Sequence, residues 1–260
     1  VAAGPASGGR AAALIVAAGS GERLGAGGPK ALVPLAGRAM FEFSLEACLA
    51  AGSVGQVVIA VPPGRLADFT GLLEPGFGLR AGAHSDGGVG PEHSARPTNT
   101  AGQQSSVRLV EGRATRSQSV AAGLELIDSE VVLVHDAARP LVTPELIDRA
   151  VEALVADPGV DAVIAAAVVT DTVKRVDRAG RVLETLDRSE LRSVQTPQVF
   201  RRQALVAAIA AGDLESATDD ASLIEAAGGS VAVIDAPSFN IKVTVPGDMA
   251  LAEALLADRN

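Results

Sequence analysis

Apolar residues fall in short unbroken runs separated by stretches with helical spacing. Runs of Val, Ile and Ala near 12–18, 55–61, 130–135, 160–168 and 231–235 predict strands. Apolar positions three and four apart predict helices near 40–51, 64–73, 117–127, 144–156, 202–211, 219–227 and 247–257. The strand runs are continuous rather than alternating, as expected when helices cover both faces of a sheet. Together these patterns predict an α/β layer fold with a mostly parallel central sheet. Helix ends carry fitting chemistry. Thr143 precedes Pro144 as a cap ahead of a first-turn proline, Thr218-Asp-Asp opens an apolar stretch, and Gly228-Gly229 stops it.

Two segments interrupt this rhythm. The stretch 81–106, AGAHSDGGVGPEHSARPTNTAGQQSS, holds too little apolar surface to offset the entropy of ordering, and it reads as a disordered insertion peripheral to function. His84 and His93 lie in it with no cysteine and no tight carboxylate cluster, so it does not read as a metal site. In 170–187, two strand-like arms flank Asp177-Arg-Ala-Gly180, which predicts a hairpin. A charged hairpin buries little on its own, so this one is expected to act as a dimerisation arm.

Composition narrows the function classes. The 260 residues carry 22 Lys and Arg against 31 Asp and Glu, a net charge of −9, and no run of five basic residues occurs. Binding along a nucleic-acid backbone is disfavoured by that balance. With six Phe and no Trp or Tyr, stacking platforms for single strands are missing too. The longest apolar runs, 11–18 and 162–169 among them, are eight residues each, against roughly 20 needed to span a bilayer. A single cysteine, Cys48, sits on an apolar helix face and cannot form an internal disulfide. These features predict a cytoplasmic protein with no nucleic-acid or membrane partner.

The strongest chemical signal is LIVAAGSGERLGAGGPK at 14–30: a buried strand, a glycine-rich loop, then Arg23 and Lys30. Glycines let backbone N–H groups approach phosphate oxygens, and the two cations neutralise them. The P-loop pattern fails because Lys30 is followed by Ala31. The dinucleotide fingerprint fails because Gly25 comes one position late. Read alone, the loop could equally be a tight turn with solvated charges. A second cluster, His135-Asp-Ala-Ala-Arg139-Pro140, follows a strand expected to end at the same sheet edge, where α/β folds bind ligands. Asp136 suits Mg²⁺ and Arg139 a phosphate fork; the plain alternative is an Asp136–Arg139 pair. His135 reads as a packed or hydrogen-bonded histidine. Arg188 and Lys242 add two more cations downstream.

The set AAGSGERL with Pro29-Lys30, HDAARP at 135–140, DTVK at 171–174, TPQ at 196–198, TDDAS at 218–222 and NIKVT at 240–244 resembles the 2-C-methyl-D-erythritol 4-phosphate cytidylyltransferase family. The resemblance covers about 11–257 and implies a single Rossmann-like nucleotidyltransferase domain. Its arm would complete the neighbouring subunit's site in a homodimer. It further implies that Ala17, Ala18, Gly19 and Gly21 hold CTP through backbone groups and that Gly112 and Ser119 recognise base and ribose. Arg23 and Lys30 would stabilise the transition state, Arg188 and Lys242 would place the acceptor phosphate, and Asp136 would bind Mg²⁺. Arg139, Thr172, Thr196 and Thr218 would contact the sugar phosphate. One departure stands out: Glu111-Gly112-Arg113 occupies a place where the family commonly has paired glycines. The alternatives are a sister enzyme acting on another polyol phosphate such as ribitol 5-phosphate, and a non-catalytic nucleotide-binding module.

Overall fold

β1 (Ala11–Val16) lies inside a seven-stranded sheet. The structure, a computed structural model, describes residues 10–25, 27–77, 106–215 and 217–259. In chain order there follow the short pair β2 (Pro34–Leu35) and β3 (Arg38–Ala39), α1 (Met40–Ala50), β4 (Val54–Val61) and α2 (Leu66–Phe77). Next come β5 (Ser106–Glu111), α3 (Arg116–Leu124), β6 (Val131–Asp136), α4 (Pro144–Ala156) and β7 (Ala162–Val168). The hairpin β8 (Lys174–Val176) and β9 (Val182–Thr185) precedes β10 (Arg192–Arg201), α5 (Arg202–Ala211), α6 (Asp220–Ala226), β11 (Val231–Asp235) and α7 (Pro246–Ala257).

The sheet order is β11-β7-β10-β6-β1-β4-β5. Every pairing is parallel except those of β10, which runs antiparallel between β6 and β7. The chain passes from β1 outward to β4 and β5, then returns to place β6 on the other side of β1. That reversal makes the C-terminal ends of β1 and β6 a topological switch point, the crevice where open α/β sheets take ligands. Register fixes the pair closely, because Val16 lies opposite Asp136.

Successive residues of β1 feed two cores. Ala11, Ala13 and Ile15 pack with α1, α2 and α4 through Phe41, Phe69, Ile147 and Leu154. Ala12 and Leu14 face α3, α5 and α6. Small side chains in the strands let both helix layers sit close, which is how a chain so poor in aromatics fills its interior. Phe41 and Phe69 supply a rare aromatic contact, with ring centroids 4.8 Å apart. Cys48 is buried in the α1 layer and burial pushes its thiol up to about 12, so it behaves as a core residue.

Two strands depart from the sequence reading. The hydrophobic pattern of β5 is broken by Arg108, as expected of an outer strand, and Ser106, placed above at the end of an insertion, opens it. The remaining residues of that insertion, 81–105, lie outside the described ones. β10 contains Gln195, Pro197 and Gln198, which argue against a central strand from sequence alone. Its pairing with β7 is interrupted between Val194 and Gln198, where the Thr196-Pro197 peptide is cis. Among the described residues no helix is long and apolar enough to cross a membrane.

Candidate active site

A cavity of about 520 Å³ opens over the switch point, lined by the loop after β1, the start of α3, the end of β6 and the segment around Lys242. The β1 loop is shaped by backbone constraints. Gly21 has φ +76°, and a Cβ there would come within 2.9 Å of the Gly28 carbonyl oxygen and 3.1 Å of the Lys30 nitrogen. Only glycine lets the loop fold back so far, and the Lys30 N–H closes it by donating to the Gly19 carbonyl at 3.3 Å. Ala17, Ala18, Gly19, Gly21, Arg23 and Lys30 consequently share one wall.

Lys30 is held at about 8, well below a free lysine, first because burial strips its water and then because Lys242 and Arg23 repel its charge. These three cations share the cavity lining, the condition for binding a polyanion within an acidic protein. Asp136, at the end of β6, lines the same cavity. Its Oδ1 accepts from Arg116 Nε at 2.9 Å and its Oδ2 from Lys242 Nζ at 2.6 Å. Burial pushes this carboxyl up, but the paired cations Arg116 and Lys242 pull it further down, so it stays ionised well below the usual carboxylate range. The sequence alternative of an Asp136–Arg139 pair is thereby corrected. Arg139 instead donates to the Asn240 carbonyl at 2.8 Å and the Val194 carbonyl at 3.3 Å.

Behind Asp136 a short relay fixes its backbone. The Asp136 N–H donates to Thr196 Oγ1 at 3.1 Å, that hydroxyl lies 3.0 Å from His135 Nδ1, and His135 Nε2 lies 3.1 Å from the Arg139 carbonyl. The Arg139 carbonyl can only accept, so the neutral ring carries its proton on Nε2, and Nδ1 accepts from the Thr196 hydroxyl. Burial holds His135 down near 4, so it is a neutral, packed residue. Asn240 braces the same corner, its Nδ2 donating to Gln195 Oε1 at 2.8 Å and to the Thr196 carbonyl at 2.9 Å.

At the other end of the cavity, Ser119 Oγ accepts from the Arg113 N–H at 2.9 Å and donates to the Thr115 carbonyl at 2.8 Å. Gly112 packs against the same corner. A Cβ on it would approach Ala18 Cβ and Ser119 Oγ to 2.8 Å and the Val61 carbonyl to 3.1 Å. Gly112→Ala is therefore expected to destabilise the fold by about 1–3 kcal/mol through overpacking and to disturb the Ser119 end of the cavity. Thermal unfolding and initial rates check both.

The structure gathers Ala17, Ala18, Gly19, Gly21, Arg23, Lys30, Ser119, Asp136 and Lys242 around one cavity. It leaves Gly112, Arg139, Thr172, Arg188, Thr196 and Thr218 outside that lining. Thr196 is buried behind Asp136, whereas Thr172 and Arg188 are exposed at the arm. Sequence reasoning missed Arg116, which enters the cavity from the first turn of α3 and also grips Asp220 at 2.6 Å. Recognising β5 would have found it, since a loop leaving the C-terminal end of that strand must reach the same sheet edge.

A family model described as 2-C-methyl-D-erythritol 4-phosphate cytidylyltransferase matches residues 11–258. The enzyme of that name from Frankia casuarinae is 44% identical over 250 residues, covering 95% of this chain and 82% of the relative. Its counterpart from Saccharopolyspora erythraea is 40% identical, covering 94% and 98%. Among solved structures, the 4-diphosphocytidyl-2C-methyl-D-erythritol synthase of Anaerococcus prevotii superposes with a TM-score of 0.74 at 27% identity, covering 97% of this chain and all of that one. The Thermus thermophilus cytidylyltransferase gives 0.67 at 30% identity, covering 94% and 98%.

Proposed function

Since the chain belongs to the 2-C-methyl-D-erythritol 4-phosphate cytidylyltransferase family and transfers CMP from CTP to that sugar phosphate, we propose that the switch-point cavity is where the transfer occurs. The observation that carries this reading is the convergence of Arg23, Lys30 and Lys242 on a cavity that Asp136 also lines. An oxygen of the acceptor phosphate attacks the α-phosphorus of CTP, the new P–O bond forms, and the bond from that phosphorus to the α,β-bridging oxygen breaks, releasing pyrophosphate. A phosphate monoester is largely ionised at neutral pH, with a second pKa near about 6, so no general base is required. Catalysis then consists of positioning and charge neutralisation. Such a division of labour suits a site rich in cations beside which His135 is neutral and internally bonded.

In this reading Ala17, Ala18, Gly19 and Gly21 cradle the triphosphate, while Gly112 and Ser119 shape the base and ribose end. Arg23 and Lys30 meet the charge that develops on the α-phosphate and leaving group, and Lys242 holds the acceptor phosphate. Asp136 fits a hard divalent cation. It is an ionised oxygen donor in the lining of a phosphate cavity, and Mg²⁺ commonly takes one or two carboxylates with phosphate oxygens and water for the rest. Mg²⁺ would supply further neutralisation of the triphosphate, with Lys242 ceding Asp136 Oδ2.

Arg188 and Thr172 lie on the arm outside their own subunit's cavity, which supports a homodimer in which the arm serves the neighbouring site, with Arg139, Thr196 and Thr218 forming the acceptor end between them. A free, buried Cys48 is compatible with a reducing cytoplasm. Pyrophosphate release tests the reaction. With Mg²⁺ and CTP, release is expected with methylerythritol phosphate and not with ribitol phosphate or without acceptor. Release with ribitol phosphate alone would reassign the acceptor, and silence with both would remove the reaction.

A further inference from the structure

One titratable side chain in this region has no part in the chemistry described above. Asp220 is fully buried at the first turn of α6, beneath the cavity, and does not line it. Its Oδ2 accepts from Arg116 Nη1 at 2.6 Å. Arg116 Nε in turn donates to Asp136 Oδ1 at 2.9 Å, and Asp136 Oδ2 accepts from Lys242 Nζ at 2.6 Å. The four groups alternate in sign between the interior and the cavity, with Asp220 fully buried at one end and Lys242 41% exposed at the other.

Helix initiation does not account for Asp220. Its neighbour Asp219 already caps α6, accepting from the Ser222 N–H at 2.9 Å, and is itself held by Gln198 Nε2 at 2.8 Å. Stability accounts for it poorly as well, because a buried ion pair often contributes no more than apolar residues of the same volume. What the pair does supply is orientation. A guanidinium is a rigid planar fork, and gripping two of its edges with two carboxylates fixes its rotation.

We infer that Asp220 is a positioning residue for CMP transfer, locking Arg116 against Asp136 so that Asp136 and Lys242 meet the substrates in one arrangement. The inference rests on the cavity reading given above. Without the Asp220 charge, Arg116 stays in the cavity wall with one partner and is free to turn toward the nearest anion, the triphosphate. CTP then binds at least as tightly, while Asp136 and Lys242 are displaced from the reacting atoms. The signature is a fall in kcat without a rise in the KM or Kd for CTP, which general damage to the site would not produce.

The experiment compares Asp220→Asn, Arg116→Gln, the double variant and Lys242→Gln with the parent, measuring kcat, KM and CTP binding without acceptor. Asp220→Asn is expected to lower kcat by about tenfold to a hundredfold, the scale of a displacement of roughly 1 Å, with CTP affinity equal to or above the parent's. If Asp220 acts through Arg116, the double variant is no slower than Arg116→Gln alone. An unimpaired Asp220→Asn, a matching loss of CTP affinity, or additive losses would each overturn the inference. Should Asp220→Asn fail to fold because it strands a buried guanidinium, Asp220→Glu keeps the charge but shifts the carboxylate by one methylene, and it is expected to show the same fall in kcat at undiminished CTP affinity; an unimpaired Asp220→Glu would overturn the inference. Parental turnover by Lys242→Gln would instead overturn the cavity reading, and so separates the two failures.

Discussion

Lys30→Ala is expected to lower kcat by about 10²–10³ while leaving the thermal midpoint close to the parent's. The ammonium lines the cavity with Arg23 and Lys242, and in the proposed reading it meets the charge that develops on the transferring phosphoryl group. Stability holds because folding places that ammonium among like charges with part of its water removed, so its loss forfeits little favourable electrostatics. Near-parental turnover would take Lys30 out of the mechanism.

The same residue sets a pH dependence of known sign. With Lys30 at about 8 in the folded protein against 10.5 when free, kcat/KM is expected to decline as pH rises through about 8 if Lys30 acts as proposed. Between those values the unfolded chain binds more protons than the folded one at this position, so the Lys30 contribution to stability rises with pH there. Rate and stability move in opposite directions across one interval. Lys30→Arg, which keeps its charge, is expected to abolish this alkaline decline, and a decline that persists would assign it elsewhere.

The second large effect concerns the arm. Arg188→Ala is expected to cost about 10²–10³ in kcat, and Lys30→Ala subunits are equally impaired. Dissociating and reassociating the two in equal amounts is expected to return about a quarter of parental activity, because random pairing makes half the dimers mixed and each mixed dimer holds one intact site. The expectation follows from placement. Among the described residues β8 and β9 pair only with each other, Val176, Val182 and Leu183 are 50–61% exposed on them, and Arg188 stands outside its own cavity. No recovery from verified mixed dimers would put both residues in one subunit's site, and a monomer in sedimentation would end the shared-site reading.

Most parallel strands were legible because residues buried on both faces form unbroken apolar runs, as in Ala162–Val168. β10 was not, since the groups that make it useful are polar. Gln195, Thr196 and Gln198 are buried and bonded to Asn240, the Asp136 N–H and Asp219, and such long-range partners leave no local trace. The candidate site divides along the same line. Arg23, Lys30 and Asp136 follow glycine-rich or strand-end segments whose chemistry is local. Arg116 and Asp220 are 104 residues apart and each is an ordinary helix-start residue until the fold brings them to 2.6 Å.

The antiparallel strand β10 also governs how far the arm can reach. Val168 at the end of β7 lies opposite Arg192 at the start of β10, so the arm leaves and re-enters the molecule through neighbouring strands of the main sheet. Further along β10, Gln198 pairs with Val134 and the Thr196 hydroxyl holds the Asp136 N–H. The arm is thus rooted in a ribbon, with a rise of about 3.3 Å per residue, rather than in a tether whose span fluctuates. For two sites joined through such arms, the distance between them becomes a built dimension of the molecule, set by the same strand that holds Asp136 in place.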